Sequence, residues 1–278
     1  MRQKSYDNTP TLYLVPTPIG NMEDITLRAL NILKEVDLIF AEDTRVTNML
    51  LNHFGIKKKL ISSHLYNEEN NEKKEIDYLK EGKNIAVVSD RGTPVISDPG
   101  YILAQNAIKE GYNVVCLPGP TAVIPAVVMS GLAGGPFTFY GFLNSKDSKQ
   151  KKELEKLKSI PHPIVFYEAP HRLLKTLNNI YEVFGNRNIA IVREISKKYE
   201  EVIRDTLENI INEIDTLKGE IVLVVDGNHE IKNYDNIPIE THVNLYIEDG
   251  LKPNDAIKKV AKERNIPKSE VYSKYHKL

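Results

Sequence analysis

Short apolar runs alternate with helical periodicity from residue 11 onward, and no other feature of the chain constrains the fold as much. Residues 12–15 (LYLV), 37–41 (DLIFA), 59–62, 84–89 (NIAVVS) and 113–117 read as strands. Between them, residues 24–34 place Ile25, Leu27, Leu30, Ile32 and Leu33 largely on one side of a helix, with Asp24 as its expected N-cap. Further helices are expected over 45–53, over 68–81, and over 101–110, the last ending at Gly111. NIAVVS has no polar alternation, as in strands buried on both faces of a parallel sheet. The repeated unit predicts an α/β layered fold with a mostly parallel sheet.

The pattern continues in the second half. Strands are expected at 137–143, 163–167, 189–193 and 220–226, with helices at 171–184 and 206–215. The lysine-rich stretch after residue 143 turns helical toward its end. Residues 228–240 read as a linker, and the tail reads as two helices joined near 265–267. The expected domains are therefore 1–143, 144–230 and a small helical tail, 241–278. The lone cysteine, Cys116, excludes an intrachain disulfide framework, and its apolar setting predicts a small buried core residue. No run approaches 18 apolar residues and no apolar segment follows the N-terminus, so a cytoplasmic protein is expected. The seven histidines show no metal-ligand spacing, and no metal is expected.

Chemistry in an open parallel sheet sits in the loops at the carboxyl ends of strands. Four such loops are rich in glycine and proline: 16–21 (PTPIGN), 89–100 (SDRGTPVISDPG), 118–122 (PGPTA) and 140–142 (YGF). None matches G-x-G-x-x-G or a P-loop, which argues against a nicotinamide dehydrogenase and a nucleoside triphosphatase. A pocket walled by their backbone groups suits a neutral or zwitterionic ligand with an amino acid part and an aromatic base. Two more constellations lie at strand ends. In 41–45 (AEDTR), the polar groups serve either a site or a helix start capped by Asp43 or Thr44. In 166–172 (FYEAPHR), a Glu, a His and an Arg either bind or deprotonate a substrate or form a solvated ion pair.

The segments PTPIGNMEDITLRAL, AEDTR, SDRGTPVISDPG, LPGPTA, FYGFL, FYEAPHR and VREI follow in this order. Together they resemble the tetrapyrrole methylase superfamily over residues 11–226. AEDTR and FYEAPHR are similar to its branch that modifies ribosomal RNA. The resemblance implies two α/β domains with a cleft for S-adenosylmethionine between them, and a homodimer. It implies methylation of the ribose 2′-hydroxyl of a cytidine in the decoding centre of 16S rRNA, free or in the assembled small subunit. Carried over by motif, cofactor contacts come from Pro18; from Ser89, Asp90, Gly92, Thr93, Pro94 and Val95; and from Gly119, Pro120, Thr121 and Ala122. Others come from Tyr140 and Phe142, from Tyr167, Glu168 and Ala169, and from Ile221. This chain departs from the branch in two places. Arg91 replaces the small residue of D-A-G-T-P, and after FYGFL the chain keeps Lys146 but has Lys151 and Lys152 where arginine is common.

A ribose hydroxyl is a poor nucleophile at neutral pH, so a group must accept its proton. Asp43, Glu168 and His171 are the candidates, with Arg45, Lys146 or Arg172 as positive partners, and the AEDTR and YEAPHR loops are expected to face each other. The rival readings are a methyltransferase of the same fold acting on a tetrapyrrole or a modified protein side chain, and a non-catalytic RNA-binding assembly factor. Net charge is −1, yet residues 144–159 hold six basic and three acidic residues, and 251–278 hold eight and three. With RNA as substrate these basic segments become expected phosphate contacts.

Overall fold

A computed structural model of the protein describes residues 2–5, 7–62, 75–98, 100–214, 216–229 and 237–277. The chain forms two compact units, residues 1–228 and 229–278. The first unit contains two five-stranded sheets.

In the first sheet, β1 (Thr11–Leu14), β2 (Leu38–Ala41), β3 (Leu60–Ser62), β4 (Ile85–Val88) and β5 (Asn113–Cys116) are all parallel, in the order β3-β2-β4-β1-β5. Helices α1 (Leu27–Glu35) and α2 (Thr44–His53) cover one face, with Ala29, Ile32, Leu33, Leu50 and Leu51 buried against Ile39, Ala86 and Val88. The other face buries Leu12, Leu14, Phe40 and Val87 under the helical residues 75–80 (α3) and under α4 (Tyr101–Lys109). The rest of the helix expected over 68–81 lies outside the described residues. Strands β1 and β4 are neighbours whose following connections run to opposite sides, which makes a crevice at their carboxyl ends.

Two local expectations change. Asp24 ends a 3-10 turn and does not cap α1; Thr26 does, accepting the Ala29 N–H at 3.0 Å. The Asp24 carboxylate instead accepts the Ser196 hydroxyl. Cys116 is exposed, because it ends the edge strand β5, whose Asn113 and Val115 take the buried positions.

The second sheet has the order β6-β7-β10-β8-β9 and is mixed. Strand β6 (Thr138–Phe142) runs parallel to β7 (Ile164–Glu168), while β10 (Ile221–Val225) is antiparallel to β7 and to β8 (Asn188–Arg193). Strand β9 (Glu201–Thr206) forms an antiparallel edge on β8. The mostly parallel arrangement thus holds for the first sheet alone. Strand β6 lies ahead of residue 143, so residues 138–142 belong to the second sheet. Helix α5 (Val123–Ser130) follows β5 in sequence but packs on one face of the second sheet, against Val165, Ala190, Val192 and Val224. Helices α6 (Asp147–Leu157), α7 (Leu173–Phe184) and α8 (Leu207–Glu213) cover the other face.

Among the described residues, the second unit is a cluster of three helices, α9 (Ile239–Glu248), α10 (Pro253–Glu263) and α11 (Lys268–His276). Val243, Ile257, Val260 and Val271 form its core. The sequence pattern predicts only α10 and α11; α9 covers the end of the expected linker and the start of the expected tail. Among the described residues, no helix is long and apolar enough to cross a membrane.

Candidate active site

The crevice at β1 and β4 is fixed by backbone bonds between their two loops. Thr17 and Gly92 exchange N–H···O bonds of 2.9 and 3.0 Å, and the Thr17 hydroxyl donates to the Ser89 carbonyl at 3.0 Å. The Thr93 hydroxyl donates to the Pro120 carbonyl at 3.2 Å, which ties in the loop after β5. Within residues 89–98, Gly92, Val95 and Ser97 all have positive φ, at 79°, 78° and 65°. For β-branched Val95 this is a strained conformation, of a kind that persists only where its surroundings enforce it. It turns Ile96, Ser97 and Asp98 along the wall of a cavity of about 380 Å³.

The loop after β5 makes the closest approach. A Cβ on Gly119 would lie 2.7 Å from Cβ of Pro16, part of a ring that cannot rotate away. Gly119→Ala is therefore expected to push the two loops apart and to lower stability by about 1–3 kcal/mol, read as a fall in melting temperature.

Both sheets contribute to the cavity. Of the expected cofactor contacts, Gly92, Thr93, Thr121, Ala122, Phe142, Tyr167, Glu168, Ala169 and Ile221 line it. Pro18, Ser89 and Asp90 instead line a second cavity, of about 200 Å³. Pro94, Val95, Gly119, Pro120 and Tyr140 line neither and shape the loops from behind. Ile19, Ile96, Ser97, Asp98, Pro170 and Ile195 also line the larger cavity and are not among the contacts expected from the sequence. Ile19, Ile96, Ser97 and Asp98 carry a signal in their place in the glycine- and proline-rich loops 16–21 and 89–100, and Pro170 and Ile195 in theirs within FYEAPHR and VREI. Arg91 lines both cavities. Its guanidinium pairs with Glu220, whose other oxygen meets Lys197 Nζ at 2.9 Å. Phe142 and Tyr167 stand together, ring centres 5.4 Å apart.

The electrostatics single out Asp98. Burial, with Glu42 and Asp90 nearby, pushes its carboxyl up to about 6. Burial, with Asp98 close by, pushes the Tyr167 phenol up to about 12. Of the three acidic side chains on the cavity wall, Glu168 pairs with Arg172 and Glu220 with Arg91 and Lys197. Asp98 has no cationic partner among the described residues.

The candidates for acid–base work are engaged elsewhere or lie off the cavity wall. Asp43 caps α2 through the Arg45 N–H at 2.8 Å, and its bonds to the Arg45 side chain hold its carboxyl down at about 2. Arg45 itself is 88 % exposed. The Asp43 N–H donates to Asp90, and the Asp90 N–H donates to Glu42, so the AEDTR loop is bonded to the 89–90 loop. Glu168 has a fully buried side chain. It accepts the Ala169 N–H at 2.7 Å and the Thr176 hydroxyl at 2.5 Å, and it pairs with Arg172 at 3.2 Å. Arg172 also donates to the carbonyls of Leu143, at 2.7 Å, and Asn144, at 3.3 Å. His171 and Lys146 are exposed and line neither cavity.

Residues 11–211 match the family model described as Tetrapyrrole (Corrin/Porphyrin) Methylases. The chain is 49 % identical to a Bacillus subtilis protein named Ribosomal RNA small subunit methyltransferase I, over 95 % of this chain and 94 % of that one. It is 46 % identical to the protein of the same name from Halalkalibacterium halodurans, over 99 % and 98 %. In structure it is similar to a diphthine synthase, with a TM-score of 0.61 and 16 % identity over 78 % of this chain and 90 % of that one. It is also similar to uroporphyrin III C-methyl transferase from Thermus thermophilus, with a TM-score of 0.56 and 17 % identity over 77 % and 96 %. At these identities the two structures speak for the fold.

Proposed function

The chain belongs to the tetrapyrrole methylase family, and on that premise we propose that it methylates the ribose 2′-hydroxyl of a cytidine in the decoding centre of 16S rRNA. The family's methyl donor is S-adenosylmethionine, which supplies an electrophilic methyl group on a positively charged sulfur. The cavity fits such a molecule by its chemistry. Ile19, Ile96, Ala122, Ile195 and Val222 offer apolar contact, and Asp98 offers a carboxyl group with no protein cation against it among the described residues. That uncompensated carboxyl at the β1/β4 crevice is the observation that carries the cofactor reading. The RNA substrate is supported by the names of relatives that match over nearly their whole length.

In this reading the protein's work is alignment and exclusion of water. Thr121, Ala122, Tyr167, Ala169 and Ile221 hold the cofactor, and Asp98 faces its positive charge. Glu168, Arg172, Asp43 and Arg45 act as positioning residues through their protein partners. His171 and Lys146, exposed, meet the RNA, as do the basic segments 144–159 and 251–278. The enzyme works in the cytoplasm as a homodimer, on rRNA or on the assembled small subunit.

The test is mass spectrometry of 16S rRNA nucleosides from cells lacking the protein. One ribose-methylated cytidine is expected to disappear and to return when the gene is restored. An unchanged nucleoside profile overturns the reading.

A further inference from the structure

The residues that hold the cofactor in the reading above, Thr121, Ala122, Tyr167, Ala169 and Ile221, line the larger cavity and not the second. The second cavity lies among the loop after β1, helix α2 and the 89–91 segment. We propose that it receives the nucleotide to be methylated, turned out of its RNA strand, with Asp90 accepting a hydrogen bond from an exocyclic amine of the base. The proposal rests on the rRNA reading and adds to it a place and a selection rule.

Three observations carry it. Arg91 lines both cavities, so the two adjoin at this residue and a nucleotide in one lies next to a cofactor in the other. With its guanidinium on Glu220, Arg91 is held against the second sheet. The second cavity, about 200 Å³ against about 380 Å³, has room for one nucleotide's base and not for a macrocycle or a paired stem.

The lining also has two chemistries. Met22, Val46, Met49 and Leu50 offer apolar walls, and Met22 and Met49 are 38 % and 63 % exposed at the rim. Thioethers pack well on aromatic faces, and a base leaving its stack gives up a few kcal/mol that such contacts offset. Asp90 supplies the polar edge. One of its carboxylate oxygens accepts the Asp43 N–H at 3.0 Å, which fixes the side chain's orientation. A carboxylate accepts from the amine of cytosine or adenine and has no donor to offer the carbonyl of uracil.

The experiment uses small ribosomal subunits from cells lacking the protein. Oxidative footprinting read by mass spectrometry follows Met22 and Met49 with and without subunits. Protection of both methionines is expected. Steady-state methylation then compares wild type with Val46→Phe, which fills the cavity, and with Asp90→Asn, which keeps its shape. Val46→Phe is expected to lower kcat/KM for subunits about a hundredfold and Asp90→Asn about tenfold. S-adenosylmethionine affinity by calorimetry should stay within twofold of wild type for Val46→Phe, which also shows that it is folded; Asp90→Asn, whose charge acts on Asp98, is compared at saturating S-adenosylmethionine, with its folding read from the melting temperature. Unprotected methionines, or variants with wild-type kcat/KM, overturn the pocket. A wild-type enzyme that methylates no subunit overturns the rRNA reading itself, and with it the pocket.

Discussion

Asparagine in place of Asp98 is expected to weaken S-adenosylmethionine binding about ten- to a hundredfold and, at neutral pH, to stabilise the ligand-free protein. Both effects come from one carboxyl group. Burial, with Glu42 and Asp90 close by, lifts it from its ordinary 3.8 to about 6; Ser89 bonds to it, and Tyr167 faces it from the second sheet. Above pH 6 it is ionised and uncompensated, ready for a cationic ligand. Two unit charges about 4 Å apart at an effective dielectric constant of about 20 attract by about 4 kcal/mol, and partial exposure to solvent brings this down to the roughly 1.4–2.8 kcal/mol that a ten- to hundredfold change corresponds to. Below pH 6 the group is neutral, so wild-type affinity should fall between pH 7 and 5 while the asparagine variant stays flat. S-adenosylhomocysteine, whose sulfur is uncharged, should show a smaller loss.

Stability runs the opposite way. The folded protein holds this proton more tightly than the unfolded chain, so the group's contribution is complete below pH 3.8 and is lost as pH rises through about 6. The interval corresponds to at most about 3 kcal/mol, and with the carboxyl half open to solvent about 1 kcal/mol is expected. The melting temperature of Asp98→Asn should therefore exceed that of wild type at pH 7.5, with the gap closing toward pH 4. Calorimetry and thermal scans at both pH values decide. Wild-type affinity with wild-type pH dependence in the variant removes Asp98 from the cofactor site.

Asp98 also marks where reading the sequence stops. The loop that carries it was visible as glycines and prolines after a continuous apolar strand, because local rules govern such loops. Its carboxyl is shifted by burial first and then by Glu42 and Asp90, and it is confronted by Tyr167, an environment that only the fold brings together. The buried strands of the first sheet were legible for the same local reason, since NIAVVS has no polar alternation and is short enough for a strand buried on both faces. Strand β9 was not: EVIRDT has only Val202 and Ile203 as apolar residues, and its place at an exposed edge needs no more. The antiparallel course of β10 depends on pairing with strands 28 and 53 residues away, Arg193 to Ile221 and Glu168 to Ile221, which no local pattern records. Cys116 misled because an apolar run looks the same at an edge as at a centre. Arg91 stood out as a departure from a motif, and its partner Glu220 on the other sheet gives that departure a structural setting.

The largest stability loss is expected at Glu168, where alanine should cost about 3–5 kcal/mol. The side chain is fully buried and makes three charge-assisted contacts, with the Ala169 N–H, the Thr176 hydroxyl and Arg172. Behind it, Gln150 donates to Thr176 at 3.1 Å and accepts from Asn179 at 2.5 Å, so a network joining β7, α6 and α7 ends on this one carboxylate. Removing it leaves Arg172 partly buried without its anion and frees the hydroxyl of Thr176. Glutamine keeps the shape but turns one acceptor into a donor. Thr176 already takes one donor from Gln150, so about 1–3 kcal/mol should still be lost. At roughly 2–4 °C per kcal/mol for a unit of this size, alanine should lower the melting temperature by about 6–20 °C, and glutamine by less. The cavity should suffer with it, because Ala169 and Pro170 line its wall and Arg172 holds the chain just after Phe142. Cofactor affinity is thus expected to fall in the order wild type, glutamine, alanine, in step with the melting temperature. Were Glu168 instead the proton acceptor, glutamine would abolish turnover while leaving melting temperature and affinity at wild-type values, and that pattern would replace the positioning role with a catalytic one.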